Sequence, residues 1–380
     1  MNNLKKDLIN FLISFLISLA LGTILILIIG ENPLQAFSAL IKGAVGSTYG
    51  FGNTIALWTP LLLTSLAFAI AAQAGAFNVG IEGEVILGGM AAAYIGANWG
   101  FLPVPLLYIA CFLGAIIVAG LWAYIPGILK VKYNISEICV TILMNSVAVY
   151  IGSYLVSGPL SSGNANPQTD PVWVTLAKFL RPSSANVGFF IALLIVIVTS
   201  IVMYKTRLGE NVRAAGLNPR NMDYVGKSSK KTFVRVMVLS GMIAGVAGCI
   251  QVLGVHGYYL DGFATGLGND GMLASLIVRS NIALTPLTSF FLALLKAGAV
   301  GMQNATRLPK ALVDTITSMF IIIATMDVIL QFIEKRKLKK EDAESKAEFE
   351  ETMEKLEAEE STKGTKRNEV TNERWFIYNI

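Results

Sequence analysis

The segment Phe77–Glu84, with the sequence FNVGIEGE, contains two carboxylates and two glycines inside a long apolar stretch. Charged side chains at membrane depth are costly and usually mark a functional site, and glycine allows the backbone to turn sharply. The pattern therefore indicates a re-entrant elbow beside a transport path. A cytoplasmic turn with exposed carboxylates fits the same residues, and the sequence leaves both interpretations open.

Further polar residues lie in or near predicted spans. A second Gly-rich break, Gly266–Gly271, is interpreted as a loop or re-entrant bend and holds an asparagine and an aspartate. Lys296 lies inside a predicted span, where it either faces a wet cavity, pairs with a carboxylate such as Asp314 or Asp327, or extends toward the interface. Amides within spans either line the path or bond neighbouring helices. The residues predicted to line the translocation path are Asn78, Glu82, Glu84, Asn145, Asn269, Asp270 and Lys296, and Gln251 and Asn281 are further polar span residues.

The sequence lacks the residue patterns that a metal cluster, a cysteine-pair site or an ATP site would require. A single histidine, His256, excludes a His-based metal cluster, and the three cysteines lack CxxC spacing and lie in apolar runs, as buried thiols do. Gly226-Lys227-Ser228 has the ending of a phosphate-binding loop, but Asn221 stands where that loop needs its first glycine, and no apolar strand precedes it. We therefore expect no catalytic residue, metal or cofactor in this chain. If ATP drives its activity, ATP and Mg²⁺ bind to another subunit.

The elements that position these residues are membrane helices. The chain has 380 residues, of which 54% are hydrophobic and 14% charged, whereas soluble domains have about 25% charged residues. A helix needs about 20 apolar residues to cross a bilayer. By that measure the sequence predicts an all-α polytopic membrane protein with about ten transmembrane helices (eight to ten, because two segments are short). The predicted spans are 8–30, 54–73, 85–97 (short), 104–127, 138–157, 188–204, 234–253, 272–278 (short), 282–302 and 311–333.

The distribution of lysine and arginine predicts the orientation of the chain. The net charge is +5, and Lys5 and Lys6 at one end and Lys335–Lys337 at the other flank the predicted spans. Both termini are therefore expected on the cytoplasmic side of the cell membrane, with the loops 31–53 and 158–187 outside. The positive charges lie largely in short connecting loops, where they set orientation, so nucleic-acid binding is not expected.

The predicted spans form a coarse internal repeat. Residues 54–157 and 233–333 each contain a span, a Gly-rich break with acidic residues, a short segment and two spans. One odd span separates them, which predicts two inverted repeats of the kind found in transporters. Residues 1–333 thus form a transmembrane domain. Residues 334–380, with 13 acidic and 11 basic residues, are expected to be a charged, largely disordered cytoplasmic tail.

The longest charged interruption of the apolar body is Lys205–Lys231, which the orientation assigns to the cytoplasm. Its pattern is Thr206-x-x-Gly209-x-x-x-Arg213-Ala214-x-Gly216-x-Asn218-Pro219, followed by Tyr224-x-Gly226. This segment resembles the ATPase-coupling segment of ABC-importer permeases of the ribose, nucleoside and branched-chain amino-acid family. The segment Phe77–Gly83 resembles a first-half motif of the same family, in a form most similar to the nucleoside (guanosine-type) branch. That branch often has Gln where this chain has Glu84, and the resemblance covers roughly residues 10–333.

The coupling loop also has a physical interpretation. A short helix over about Gly209–Gly216, ended by Asn218-Pro219, fits a groove on a soluble ATPase, and Arg213 is expected to reach acidic groups there. An inert cytoplasmic linker is the alternative. The predicted coupling residues are Arg207, Gly209, Arg213, Gly216, Asn218, Pro219, Tyr224 and Gly226.

The resemblance implies a permease subunit, not an enzyme, of an ATP-driven importer of nucleosides in a bacterial cytoplasmic membrane. It implies cytoplasmic ABC ATPase subunits, a second permease (a homologue or another copy) and an extracellular substrate-binding lipoprotein as partners. A ribose-like sugar permease and an ion-coupled secondary transporter are alternatives. A membrane-embedded enzyme would need clustered catalytic groups that the predicted spans lack.

Overall fold

A computed structural model describes residues 19–28, 30–305, 315, 318 and 319. The regular elements within these residues are helices, and the only β pairings described are two isolated bridges. In chain order the helices are α1 Leu19–Ile28, α2 Pro33–Val45, α3 Thr48–Gln73, α4 Ile81–Asn98, α5 Val104–Tyr133, α6 Glu137–Ser157, α7 Gly188–Lys205, α8 Arg207–Leu217, α9 Pro219–Tyr224, α10 Ser229–Ile250 with a π-helix Gln251–His256, α11 Leu267–Ile277 and α12 Thr285–Ala305.

Six described helices are long and apolar enough to cross a membrane: α3, α5, α6, α7, α10 with its π-helix, and α12. The pair α1 and α2, bent by 120°, would make a seventh. The prediction of an all-helical polytopic membrane protein is thus confirmed for the described residues, but the predicted count of eight to ten spans is not reached within them.

The difference in count has physical reasons. Helix α11 has 11 residues and is about 16 Å long at 1.5 Å per residue, which is too short for a bilayer core. Helix α4 has 18 residues but begins with two glutamates in its first turn. Of the predicted span 8–30, only 19–28 and 30 are described. The predicted span 311–333, apart from 315, 318 and 319, and the tail 334–380 lie outside the described residues, as does the predicted boundary between the domains.

Two helices form the centre of the body. Most residues of α3 and of α10 with its π-helix are buried, whereas most residues of α5, α6 and α7 are exposed or half-buried, as in lipid-facing helices. Small residues allow close approach to α10. A Cβ on Gly248 would lie 2.1 Å from the carbonyl oxygen of Val85 on α4, and one on Gly245 would lie 2.5 Å from that of Ala115 on α5. Larger residues at these two glycines would separate α10 from both neighbours.

An irregular segment, 257–266, carries the chain from the end of the π-helix to the start of α11 along one side of α4. A Cβ on Gly152 of α6 would lie 2.4 Å from the Tyr259 hydroxyl, and one on Gly89 of α4 would lie 2.8 Å from the Phe263 ring. Helix α11 then begins beside the first turn of α4, because a Cβ on Gly268 would lie 2.5 Å from the backbone nitrogen of Glu82. The sequence predicted breaks at Phe77–Glu84 and Gly266–Gly271, but only 77–80 and 266 of these residues are irregular. The others form the first turns of α4 and α11 instead of a loop or re-entrant bend, because Gly268 and Gly271 let α11 pack closely against Glu82 and Thr64. The first turns of α4 and α11 therefore touch.

Candidate functional site

The coupling loop folds into α8 and α9, joined at Asn218. This residue is extended (φ −154°, ψ 94°), and its side chain accepts a hydrogen bond from the Asn221 backbone N–H at 3.0 Å. Pro219, which follows, needs no hydrogen-bond partner at the first position of α9. Helix α8 ends at Leu217, directly before Asn218-Pro219 as predicted. This is one residue beyond the predicted last residue, Gly216.

Two glycines hold α8 against the ends of two long helices. A Cβ on Gly209 would lie 2.0 Å from the carbonyl oxygen of Met203, in α7. A Cβ on Gly216 would lie 2.2 Å from the carbonyl oxygen of Gln73, the last residue of α3. The obstructing atoms belong to the backbone in both cases, so a side chain at either glycine would push α8 away from its neighbour.

The Arg213 guanidinium lies within this packing. It donates a hydrogen bond to the carbonyl oxygen of Met203 and lies over the Tyr204 ring, with Cζ 5.9 Å from the ring centroid. The Tyr204 hydroxyl in turn donates to Oδ1 of Asn281, at 3.2 Å. Arg213 was expected to reach acidic groups on a partner; the structure gives it partners within its own chain, and they connect α8 to the segment between α11 and α12.

The outer side of the coupling loop exposes apolar residues among charged ones. Leu217 is 88% exposed and Tyr224 is 90% exposed, and Leu208, Val225 and the charged Arg207 are exposed beside them. We call these five residues the docking face. Exposed apolar groups bordered by polar ones are typical of protein contact sites.

A short turn fixes the return of the chain from α9 to α10. Gly226 has a positive φ of +78°, which favours glycine. The Asp223 carboxylate accepts hydrogen bonds from the backbone N–H and the hydroxyl of Ser229, each at 2.8 Å. These bonds favour the ionised form and lower the pKa of Asp223 below its ordinary value.

The first Gly-rich break is a buried elbow held by amides. Asn78 is fully buried; its Nδ2 donates to Glu84 Oε1 at 2.9 Å and to the Ser240 hydroxyl at 3.0 Å, and its Oδ1 accepts from the Gly80 N–H. Asn145 of α6 accepts from the Gly83 N–H at 2.8 Å and donates to the Val79 carbonyl at 2.8 Å. Glu84 is buried, so the alternative of a turn with exposed carboxylates does not hold for this residue.

The second break contributes the other charged residues of the predicted path. Glu82 lies beside the start of α11, because a Cβ on Gly268 would lie 2.5 Å from its backbone nitrogen, and a helix N-terminus favours negative charge. The Oε2 atom of Glu82 is buried without a hydrogen-bond partner. Asp270, in the first turn of α11, forms an ion pair with Lys296 of α12. The partners of Lys296 suggested from sequence were Asp314 and Asp327, which both lie outside the described residues. Asn269, next to Asp270, is exposed.

A cavity of about 590 Å³ lies between α2, α3, the π-helix and α12, within the range of small-molecule sites. None of the seven residues predicted to line the translocation path belongs to its wall, so their role in transport stays a prediction. Gln251 was noted only as a polar span residue, and the other polar wall residues were missed. A glutamine followed five residues later by the single histidine, in an apolar run, was the available signal. The polar and aromatic wall residues are Ser47, Tyr49, Asn53, Ser184, Gln251, His256, Phe263 and Asn304.

Comparison with known proteins gives the family. Residues 50–329 match the family described as "Branched-chain amino acid transport system / permease component". The chain belongs to this permease family. It is a transport component of the multi-pass cytoplasmic-membrane type, not an enzyme, and the resemblance inferred from the coupling loop is confirmed.

Relatives of this permease match nearly its whole length. The guanosine ABC transporter permease protein of Bacillus subtilis is 31% identical over 341 residues, which are 87% of this chain and 97% of the relative. A nucleoside ABC transporter permease protein of Lactococcus lactis is 26% identical, over 87% of this chain and 94% of the relative. A glucose ABC transporter permease protein of Haloferax volcanii is 29% identical, over 82% of this chain and 85% of the relative. No solved structure matches the permease.

Proposed function

We propose that this permease is the membrane subunit of an ABC importer that moves nucleosides across the cytoplasmic membrane. Two of the relatives are named for guanosine and nucleoside transport. In this proposal ATP and Mg²⁺ bind to separate ATPase subunits. A second permease, identical or homologous, completes the pathway, and an extracellular lipoprotein delivers the substrate.

The observation that best supports a nucleoside as the substrate is the set of residues that line the cavity. Among the described residues that line the cavity there is no aspartate, glutamate, lysine or arginine; the polar groups are amides, hydroxyls and one histidine. A zwitterionic amino acid or a nucleotide would need compensating charges in such a site, since an unpaired charge is costly to bury. A nucleoside is neutral, has hydrogen-bonding groups on base and sugar, and offers a flat aromatic surface to Phe263.

The contacts of α8 support ATP-driven coupling. Gly216 packs on the backbone of Gln73, whose side-chain amide donates to the carbonyl oxygen of Ser280 at 2.9 Å. The Tyr204 hydroxyl, beneath Arg213, reaches Asn281. Both connections therefore end on consecutive residues between α11 and α12.

Helix α12 extends this connection to the cavity. It begins at Thr285, and Ala297, Val300, Gly301 and Asn304 near its other end line the cavity wall. In the proposed mechanism, closure of the ATPases displaces α8, the segment before α12 follows, and the cavity wall moves with α12. The ion pair between Asp270 and Lys296 keeps α11 and α12 together during this movement.

The proposal includes the finer topology inferred from sequence: eight to ten spans in two inverted repeats, with both termini in the cytoplasm. It is supported by the shared order of a long buried helix, an irregular break and a helix in α3–α4 and in α10–α11. The contact of Gly268 with Glu82 at the two helix starts is the arrangement that half-helices related by inversion would have. Cysteines introduced at the exposed positions Leu217 and Gly163 should react with a membrane-impermeant reagent from opposite sides of the membrane.

A simple sugar is the second candidate substrate, because one relative is named for glucose and the uncharged wall also suits a sugar. The decisive experiment is uptake of labelled guanosine by proteoliposomes that contain the permease with its ATPase, partner permease and lipoprotein. Uptake should require ATP, resist ionophores and be inhibited by unlabelled nucleosides but not by glucose or leucine. Uptake without ATP that ionophores abolish would instead indicate a secondary transporter, and inhibition by glucose alone would indicate a sugar permease.

A further inference from the structure

The π-helix Gln251–His256 gives one wall of the cavity its polar groups. Gln251, Val255 and His256 all line the cavity, and residues spaced four and five apart share one face of a π-helix, whose bonds join residues five apart. Such segments are uncommon and occur frequently at functional sites. The end of the α10 span therefore places one glutamine and one histidine in the wall of the same cavity.

The Gln251 side chain has an unused hydrogen-bond acceptor in this wall. The residue is 7% exposed, and its Oε1 is buried without a hydrogen-bond partner. Buried amide oxygens are nearly always paired, because leaving one unpaired costs folding free energy. Gln251 lines the cavity, but Oε1 has almost no accessible surface in this conformation. A ligand in the cavity therefore supplies the missing donor once the side-chain amide turns Oε1 toward it.

Two aromatic rings line the same cavity as Gln251. The His256 and Phe263 rings meet edge to face, with centroids 6.1 Å apart, and both residues line the cavity. The Phe263 ring also fills the space left by the missing side chain of Gly89, so α4 limits its movement. A fixed aromatic ring is a suitable surface for stacking a base, whatever its identity.

From this arrangement we propose that Gln251 is the residue that selects the nucleobase. The base packs on Phe263, and Gln251 Oε1 accepts a hydrogen bond from a ring N–H or an exocyclic amino group on the edge of the base. The inference rests on the proposed nucleoside transport and adds to it a specific recognition contact. It predicts discrimination against bases that lack an N–H donor, because such a base would leave Oε1 unpaired.

The test compares guanosine with purine riboside, which keeps the sugar and the ring system but has no N–H donor on its base edge. In the complete complex in proteoliposomes, kcat/KM for guanosine should exceed that for purine riboside by about tenfold, the size expected for one hydrogen bond to a buried acceptor. Gln251→Met keeps the length of the side chain and removes the acceptor, so the ratio should fall to within about twofold of unity. Gln251→Glu keeps an acceptor at the same position and should preserve the preference for guanosine.

Val255→Ala is the matched control, because Val255 belongs to the same π-helix and the same wall but has no polar atom. It should leave the guanosine to purine riboside ratio unchanged. A ratio unchanged in Gln251→Met, or lost in Gln251→Glu, would overturn the assignment. So would a Gln251→Met variant that alters discrimination between guanosine and 2′-deoxyguanosine instead, because Gln251 would then read the sugar.

The same uptake measurements distinguish an error in the proposed transport of nucleosides from an error in the proposed role of Gln251. If the wild-type complex takes up no nucleoside, the proposed function itself is wrong. If it takes up guanosine and purine riboside equally well, nucleoside transport stands and the role of Gln251 does not. If Gln251→Met fails to reach the membrane, Gln251→Glu decides, since only its preservation of the ratio agrees with a hydrogen-bond acceptor at this position.

Discussion

The contact between α8 and α3 at Gly216 is expected to transmit the movement of the ATPase, and adding one methyl group tests it. In Gly216→Ala the new Cβ would lie 2.2 Å from the Gln73 carbonyl oxygen, 3.0 Å from its carbonyl carbon and 3.2 Å from the Gly75 nitrogen. Ordinary contact begins near 3.4 Å, so α8 must move away by about 1 Å, since backbone atoms in packed interiors yield little.

Two energies of opposite sign decide the outcome at Gly216. Alanine favours a helix over glycine by about 1 kcal/mol, whereas overpacking a close contact costs about 1–3 kcal/mol. The net effect is a loss of about 1 kcal/mol from the packed position of α8, and each 1.4 kcal/mol is a factor of ten in population. We therefore expect guanosine uptake to fall by about three- to tenfold.

The assay for Gly216→Ala compares uptake with ATP hydrolysis in the same proteoliposomes. Hydrolysis should continue while uptake falls, because the docking face is unchanged and only its connection to α3 is weakened. Gly127→Ala in α5 is the control: the atoms nearest to its new Cβ lie at 3.4 Å or more, which is ordinary contact, and uptake should stay near the wild-type level. Wild-type uptake in Gly216→Ala would refute the transmission of movement through this contact, and loss of ATPase assembly would assign Gly216 to docking instead.

Three further predictions concern the contacts around the coupling loop. Tyr204→Phe removes the hydrogen bond to Asn281, worth about 0.5–1.5 kcal/mol, and should lower uptake by a few-fold with normal membrane levels; unchanged uptake would remove this contact from the coupling route. Lys296→Met leaves Asp270 without its ion-pair partner and should reduce uptake more than the double variant Lys296→Met/Asp270→Asn does; equal losses would mean that the pair is not coupled. The folded state lowers the pKa of Asp223, so its contribution to stability is present above the ordinary carboxyl pKa and is lost as the pH falls through the lowered value. Proteolysis of the α9–α10 turn should therefore be pH-independent near neutrality, increase only in strongly acidic solution and lose that acid dependence in Asp223→Asn; a transition near neutral pH would contradict the assignment.

Sequence predicted the features that depend on local residues. Long apolar runs determine α3, α5, α6, α7 and α12, because burying backbone polar groups in lipid requires continuous helix. The end of α8 depends on Asn218 and Pro219, whose capping and missing N–H act locally. The pattern of the coupling loop also led to the correct family. Gly209 and Arg213 contact residues nearby in the chain, Met203 and Tyr204, whereas Gly216 contacts the distant Gln73.

Features that depend on the approach of distant segments could not be predicted. The cavity forms where α2, α3, the π-helix and α12 meet. Only this tertiary arrangement shows that Gln251 lines a cavity; in the sequence it looks like any other polar residue of a span. Lys296 was suggested from sequence to pair with Asp314 or Asp327, whereas its described partner, Asp270 of α11, lies 26 residues away. The sequence does not specify the path of the segment before α11 along α4. The predicted count of eight to ten spans is not reached within the described residues because α11 is too short to cross a bilayer core. Its start beside Glu82 depends on the path of the segment 257–266 along α4.

The charged residues in the membrane body and the residues that line the cavity are two different sets. Glu82 lies beside the start of α11, Glu84 accepts a hydrogen bond from Asn78, and Asp270 pairs with Lys296. Oε2 of Glu82 and Oε2 of Glu84 are buried without a hydrogen-bond partner. These residues fix the starts of helices, and the cavity wall in the described part of the chain is left to amides, hydroxyls and aromatic rings. A charged side chain facing the cavity would be solvated by water and counter-ions. A neutral ligand would displace them without compensating the charge, so its binding would be weaker. Introducing one, as in Asn53→Asp, should therefore weaken guanosine uptake more than Asn53→Ala, although aspartate is closer to asparagine in shape.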